Sequence, residues 1–264
     1  MGLGAQGKWT DRPTITYSPL VGEQFARSLM TPIPPPALLS LIQAGYRADL
    51  VFRLAVQTVN GIHNRSGGDL RTRPADPDFH DVVERLRRIQ ESGAIGMRLQ
   101  RTDGGEATLM AFRQEPDPRT QDDVLAVRRM LGLDPQAREF RVVYGSVADD
   151  GTQIAILSRS ILQILVEISS FITVPADHVA EHRVGQTAEP ETGPGGPLPP
   201  LIRIASGSDL PGDSFVGVPF RGHWFWIDDR DISSKRVFTF LVFVFTLVET
   251  GGKEGAPIVT IPAG

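Results

Sequence analysis

His178, Glu181 and His182 stand in the stretch HVAEH, which has the spacing of an inverted zinc-peptidase motif. In that chemistry two histidines four residues apart share one helix face and hold zinc, while the glutamate serves as general base. It requires a long helix and a third acidic ligand from another element. Here the segment follows VPAD, has room for roughly two turns, and runs directly into RVGQTAEPETGPGG. Glu254, the acid at a suitable distance, sits in a glycine-rich turn. The expectation is an exposed short helix with no metal. A metal-dependent hydrolase using His178, Glu181 and His182 is the competing reading.

The second dense group of reactive side chains lies in RGHWFWIDDRDISSK, residues 221–235. Acids where a strand turns into a helix usually cap the helix and face its positive end. Asp231 or Ser233 is therefore expected as the cap, with Arg230, Lys235 and Arg236 pairing with Asp228 and Asp229. No catalytic residue and no cofactor are expected. Tryptophan and arginine are enriched where proteins bind one another. The candidate partner-binding set is thus Trp224, Trp226, Arg221, Asp228, Asp229, Arg230 and Lys235.

Other motifs carry less. No serine nucleophile elbow, phosphate-binding loop or dinucleotide fingerprint occurs in the chain. GSVADDG lacks the later acids of a calcium loop and reads as a turn. RTRPADPD and ERLRRIQ mix bases with acids, as solvated faces do. His63 and His80 have no partner that sequence identifies.

The elements that must position these groups follow from periodicity and punctuation. EQFARSLM, PIPPPALLSLIQAG and RADLVFRLAVQTVNG read as helices, the last running to Gly61, with a strand over Thr14–Leu20 ahead of them. DPDFHDVVERLRRIQESG has one apolar stripe of Phe79, Val82, Val83, Leu86 and Ile89, with Glu84, Arg85, Arg87 and Arg88 outward.

Three hairpin–helix units are then expected: IGMRLQ-RTDGG-EATLMAF, EFRVVYG-SVADDG-TQIAIL and SFVGVPF-RG-HWFWID, each with a helix after it. The fold class is α+β: a mostly antiparallel sheet of repeated hairpin–helix (ββα) units, preceded by an N-terminal helical segment. Residues 14–92 form that segment, 93–182 the first two units, 183–200 a flexible Pro/Gly-rich linker or loop, and 201–264 the third unit and a closing strand. One composite domain is preferred to two lobes. LIRIA resumes as a strand after the linker, and APIVTIPA closes the chain.

In the third hairpin, a two-residue turn at Arg221-Gly222 pairs Phe220 with His223, Val218 with Phe225 and Val216 with Ile227 on a core-facing side. Trp224 and Trp226 then lie on the other face, Trp226 beside Gly217. The helix after it offers only Lys235, Thr239, Thr246 and Glu249 as a polar stripe, and SILQILVEISSFI only Gln163, Glu167 and Ser170. Helices apolar on most sides need cover on most sides, so a neighbouring subunit is expected over part of this surface.

With 264 residues, 41% apolar and 22% charged, the chain can bury a sizeable core. Its net charge of −4 gives no global attraction to nucleic acid or anionic lipid. It has no cysteine, which excludes disulfides and thiolate metal sites. The longest apolar run, Val237–Val248, is interrupted by two threonines and falls short of a membrane span.

FRGHWFWIDDRDISSKRVFTFLVFVF, LVGEQFARSLMTPIPPPALLSLIQAG and ILSRSILQILVEIS together resemble a family of uncharacterised bacterial proteins, typically predicted envelope lipoproteins. The resemblance runs from about Tyr17 to the final strand, and Arg221–Lys235 is its most specific part. Members usually carry a lipobox cysteine and a helical segment upstream. This chain has neither, so a trimmed mature region or a divergent member is expected. The resemblance implies no reaction. It implies a cell-envelope location, with a cytoplasmic one as alternative, and membrane attachment only through an N-terminal anchor. The functional expectation is a non-enzymatic envelope protein that self-associates or binds a protein partner, with nucleic acid excluded.

Overall fold

The computed structural model describes residues 23–67, 73–102, 105–113 and 117–251. The strands expected at 14–20 and 256–263, the Asp103-Gly104 turn and Glu254 lie outside them.

The described chain opens with three helices, α1 (Glu23–Met30), α2 (Pro35–Gln43) and α3 (Ala48–Ala55). Pro35 and Pro36 fill the first turn of α2, where a missing N–H costs nothing. The third helix is shorter than its periodicity implies. It stops at Ala55, and Val56–Val59 forms strand β1, which turns into β2 (Ile62–His63). Asn60 and Gly61 make that turn with φ of 42° and 82°, values that Asn-Gly accepts more readily than other pairs. The β-branched Val56, Thr58 and Val59 pair with a sheet neighbour, so tertiary pairing overrides the helical spacing.

Next come α4 (Pro77–Glu91), the strands β3 (Ile95–Thr102) and β4 (Gly105–Phe112), and α5 (Pro118–Met130). The expected stripe of α4 is fully buried. Its charged face is not simply solvated, because Arg85 and Arg88 both reach Asp123 of α5, at 2.8 and 2.7 Å.

Strands β5 (Glu139–Tyr144) and β6 (Gln153–Ser158) complete a six-stranded sheet of order β2-β1-β6-β5-β4-β3. The sheet is mostly antiparallel, as expected, but the second unit is no hairpin. β5 and β6 run parallel, with Arg141 opposite Gln153 and Tyr144 opposite Ile156. Parallel neighbours need a return crossover, and residues 145–152 supply a short one. It is drawn back by two hydrogen bonds, Asp134 N–H to Gly151 O at 2.8 Å and Gly61 N–H to Ser146 O at 2.7 Å. A Cβ on Gly151 would stand 2.9 Å from the Asp134 nitrogen, so the close approach requires glycine.

Helix α6 (Ile161–Ser169) starts with a capping box between Ser160 and Gln163. The five-residue α7 (Ala176–Ala180) follows. The stretch read as a linker carries a small hairpin, β7 (Thr192–Gly193) with β8 (Gly196–Pro197), and is tied to the end of α6 by Ala188 N–H to Ser170 O at 2.8 Å. The strand expected at Leu201–Ala205 begins later: β9 is Ala205–Gly207, while Leu201 and Ile202 are core residues.

The chain then forms β10 (Ser214–Phe220), β11 (His223–Asp228) and α8 (Ile232–Gly251). A second sheet has the order β10-β11-β9. One cluster of buried apolar side chains runs from Leu38 of α2 through Phe79 and Phe140 to Ile227 and Phe240. No helix among the described residues is long and apolar enough to cross a membrane.

Candidate functional site

The third hairpin forms in the register that its sequence predicts. Arg221 and Gly222 take φ of 49° and 81°, a two-residue turn whose twist suits antiparallel strands. Phe220 faces His223, Val218 faces Phe225, Pro219 faces Trp224 and Val216 faces Ile227.

The burial of its two faces differs from expectation. Ile227 is 2% exposed, but Phe225 is only half-buried, and Val218 and Phe220 are each 57% exposed. Of this face only Ile227, at the base of the hairpin, is fully buried. Trp224 and Trp226 are half-buried. Trp226 covers Gly207 of β9 rather than Gly217, over which Leu210 lies. The strand expected at Leu201–Ala205 starts at Ala205 and pairs with β11, which brings Gly207 rather than Gly217 under the indole.

The helix cap is Asp231. Its Oδ1 accepts the Ser234 N–H at 3.0 Å and its Oδ2 the Ser234 hydroxyl at 2.8 Å. Burial pushes the Asp231 carboxyl up, but the Ser234 donors and the Arg203 guanidinium hold it below the ordinary range. Of the expected ion pairs, Lys235 meets Asp229 at 2.7 Å and its Nζ sits 4.8 Å from the centre of the Phe215 ring. The Arg230 guanidinium pairs with Asp213 instead of Asp228 or Asp229. Asp228 accepts the backbone N–H of Arg230 at 2.7 Å. Arg221 stands apart at the turn, over the Phe220 ring.

Helix α8 divides its apolar surface. Val237, Phe240 and Val244 are buried, with Tyr46 against the Phe240 ring at 5.5 Å. Ile232, Val242 and Phe243 are 61%, 53% and 41% exposed. In α6, Leu162 is likewise exposed, whereas Glu167, expected on an outward polar stripe, is buried.

The HVAEH stretch does not form the peptidase arrangement. Helix α7 ends at Ala180, and His182 has a φ of 56°. The two rings therefore do not share a helix face. Glu181 pairs with Arg183. The expected exposed helix is corrected at one residue, since His178 is 6% exposed. Its ring packs edge to face on His223 at 4.8 Å.

Sequence reasoning missed a buried ionic cluster at a pocket of about 720 Å³. Arg65, His80, Ser170, Ile172, Thr187 and Glu191 line it, among others. Glu167 accepts the Gly67 N–H at 2.6 Å and faces Arg65 at 3.2 Å and Arg159 at 3.8 Å. Arg159 also donates to the carbonyls of Arg53 and Leu54, each at 3.0 Å. Burial pulls the Arg159 and Arg53 guanidinium groups below their usual pKa. His80 stands 3.6 Å from Glu191. Burial raises the Glu191 carboxyl, but the His80 hydrogen bond and nearby arginines leave it net lowered. The only sequence signal was an acid, Glu167, inside an otherwise apolar helix, which requires a buried partner that spacing cannot name.

No protein-family model matches this chain, and searches of curated proteins and of solved structures return no match.

Proposed function

We propose that this protein is a non-enzymatic binding protein, docking a second copy of itself or another protein through the third hairpin and the outer side of α8. The observation that supports this reading is the division of α8, with Phe240 fully buried and Val242 and Phe243 on the exposed side. Phe215, Val218 and Phe220 add exposed apolar area on the hairpin that precedes it. The flanking charges Arg221, Asp228, Asp229, Arg230 and Lys235 give that area the polar rim that protein interfaces carry. The two tryptophans contribute their half-exposed edges. A bacterial-envelope setting rests on the sequence resemblance alone.

Sedimentation over a concentration series tests the reading, with Phe220→Asp and Phe243→Asp as variants. Phe220 is 57% exposed, so its variant should fold; Phe243 is 41% exposed but stacks on Tyr46 at 6.2 Å, so a thermal melt must show that its variant keeps the fold. Each should weaken self-association by about tenfold or more if the partner is a second copy. A wild type that stays monomeric at every concentration, and captures no envelope protein that the two variants fail to capture, defeats the proposal.

A further inference from the structure

We infer that Asp177, His178 and His223 form a binding site for a divalent transition metal of the zinc type. The three residues come from two elements that sequence places far apart. Asp177 and His178 lie on α7, and His223 opens β11 just after the hairpin turn. One ligand atom from each lies within 4.8 Å of the other two, and His223 Nε2 is 3.7 Å from Asp177 Oδ1.

A tetrahedral zinc ion with bonds of about 2.0–2.1 Å holds its donors about 3.4 Å apart. The group therefore needs to close by about 1.4 Å at its widest. Asp177 is the residue free to do so, its side chain being 56% exposed. The two imidazoles are already fixed. His178 is 6% exposed, and its ring packs edge to face on the His223 ring at 4.8 Å. The other nitrogen of His223, Nδ1, faces the Arg221 carbonyl at 3.5 Å. A proton on Nδ1 donated to that carbonyl leaves the Nε2 lone pair for the metal, the usual way an outer contact selects a ligating tautomer.

Two imidazoles and one carboxylate, with no thiolate, suit zinc, nickel or cobalt rather than calcium or magnesium. Three protein ligands with an exposed carboxylate edge leave a fourth position open. The site is separate from the HVAEH spacing, since it uses His178 but neither Glu181 nor His182. It does not depend on the docking proposal, though an ion there would clamp α7 to the base of the hairpin turn.

The test uses the full chain with any affinity tag removed, titrated with zinc alone against a chelating dye. One equivalent should bind. His223→Ala and Asp177→Asn should each weaken binding by about tenfold or more, and His182→Ala should leave it unchanged. Cobalt should give visible d–d bands that His223→Ala abolishes. His178→Ala belongs to the series, but its buried position makes the more exposed His223 the deciding variant. Absence of zinc uptake by the wild type, full affinity in His223→Ala, or an equal loss in His182→Ala overturns the assignment.

Discussion

Trp226 lies against Gly207, where a Cβ would stand 3.2 Å from Cη2 and 3.4 Å from Cζ3 of the indole. The contact joins β11 to β9 and closes one face of the three-stranded sheet. Gly207→Ala should push the ring outward and cost about 1 kcal/mol. Trp226→Ala should cost about 2 kcal/mol, less than a fully buried aromatic because the ring is half-exposed. Denaturant melts of both variants, and of the pair together, measure this. The double variant should lose less than the sum, because each change removes the same contact.

The hairpin turn offers a gain rather than a loss. Arg221 is held at a φ of 49°, a conformation that costs a residue with a Cβ. Arg221→Asn should raise stability by roughly 0.5 kcal/mol, since asparagine tolerates this region better. Gly222→Ala, at a φ of 81°, should lower it by about 1 kcal/mol although its Cβ would meet nothing. Thermal melts that rank the two variants in the reverse order would show that the turn is of another type.

Glu167 is the counter-charge for two buried guanidinium groups. Glu167→Gln keeps the shape but removes the carboxylate that ion-pairs with Arg65 and Arg159, leaving them only the longer-range charge of Glu191. It should destabilise by about 3 kcal/mol or more. Urea unfolding gives the number, and a cost below about 1 kcal/mol would mean that water or another acid neutralises the pair.

Asp123 couples α4 to α5 and carries a pH signature. The Arg88 hydrogen bond, opposed by burial and supported by Arg85, holds its carboxyl below the ordinary 3.8. A depressed folded-state pKa gives stability that is present above the unfolded value and lost as pH falls through the folded one. Asp123→Asn should therefore cost about 1–2 kcal/mol near neutral pH, and its gap from wild type should narrow below about pH 4. Urea melts at neutral pH and in acid show whether the gap narrows.

By itself the sequence determined what local rules control. The stripe from Phe79 to Ile89 has one way to face a core, so α4 was legible to its ends. Arg221-Gly222 between two period-2 strands left one turn and one register. The acids and serines ahead of the last helix narrowed its cap to Asp231 or Ser233, and the fold uses Asp231 through Ser234. The tertiary structure decided whatever depends on which segments meet. Val56–Val59 carries helical and strand character alike, and only pairing with β6 resolved it. The 145–152 connection reads as a hairpin turn until Gly151 and Ser146 are held elsewhere, which turns β5 and β6 parallel. Lone charged or imidazole residues gave no hint of their neighbours. Arg65 meets Arg159 and Glu167 across more than ninety residues of chain, and His178 meets His223 across forty-five. Chain spacing sets which residues share a face of one element. Contacts between elements are set by the packing of their apolar faces, and that is where the ionic cluster and the histidine pair arose.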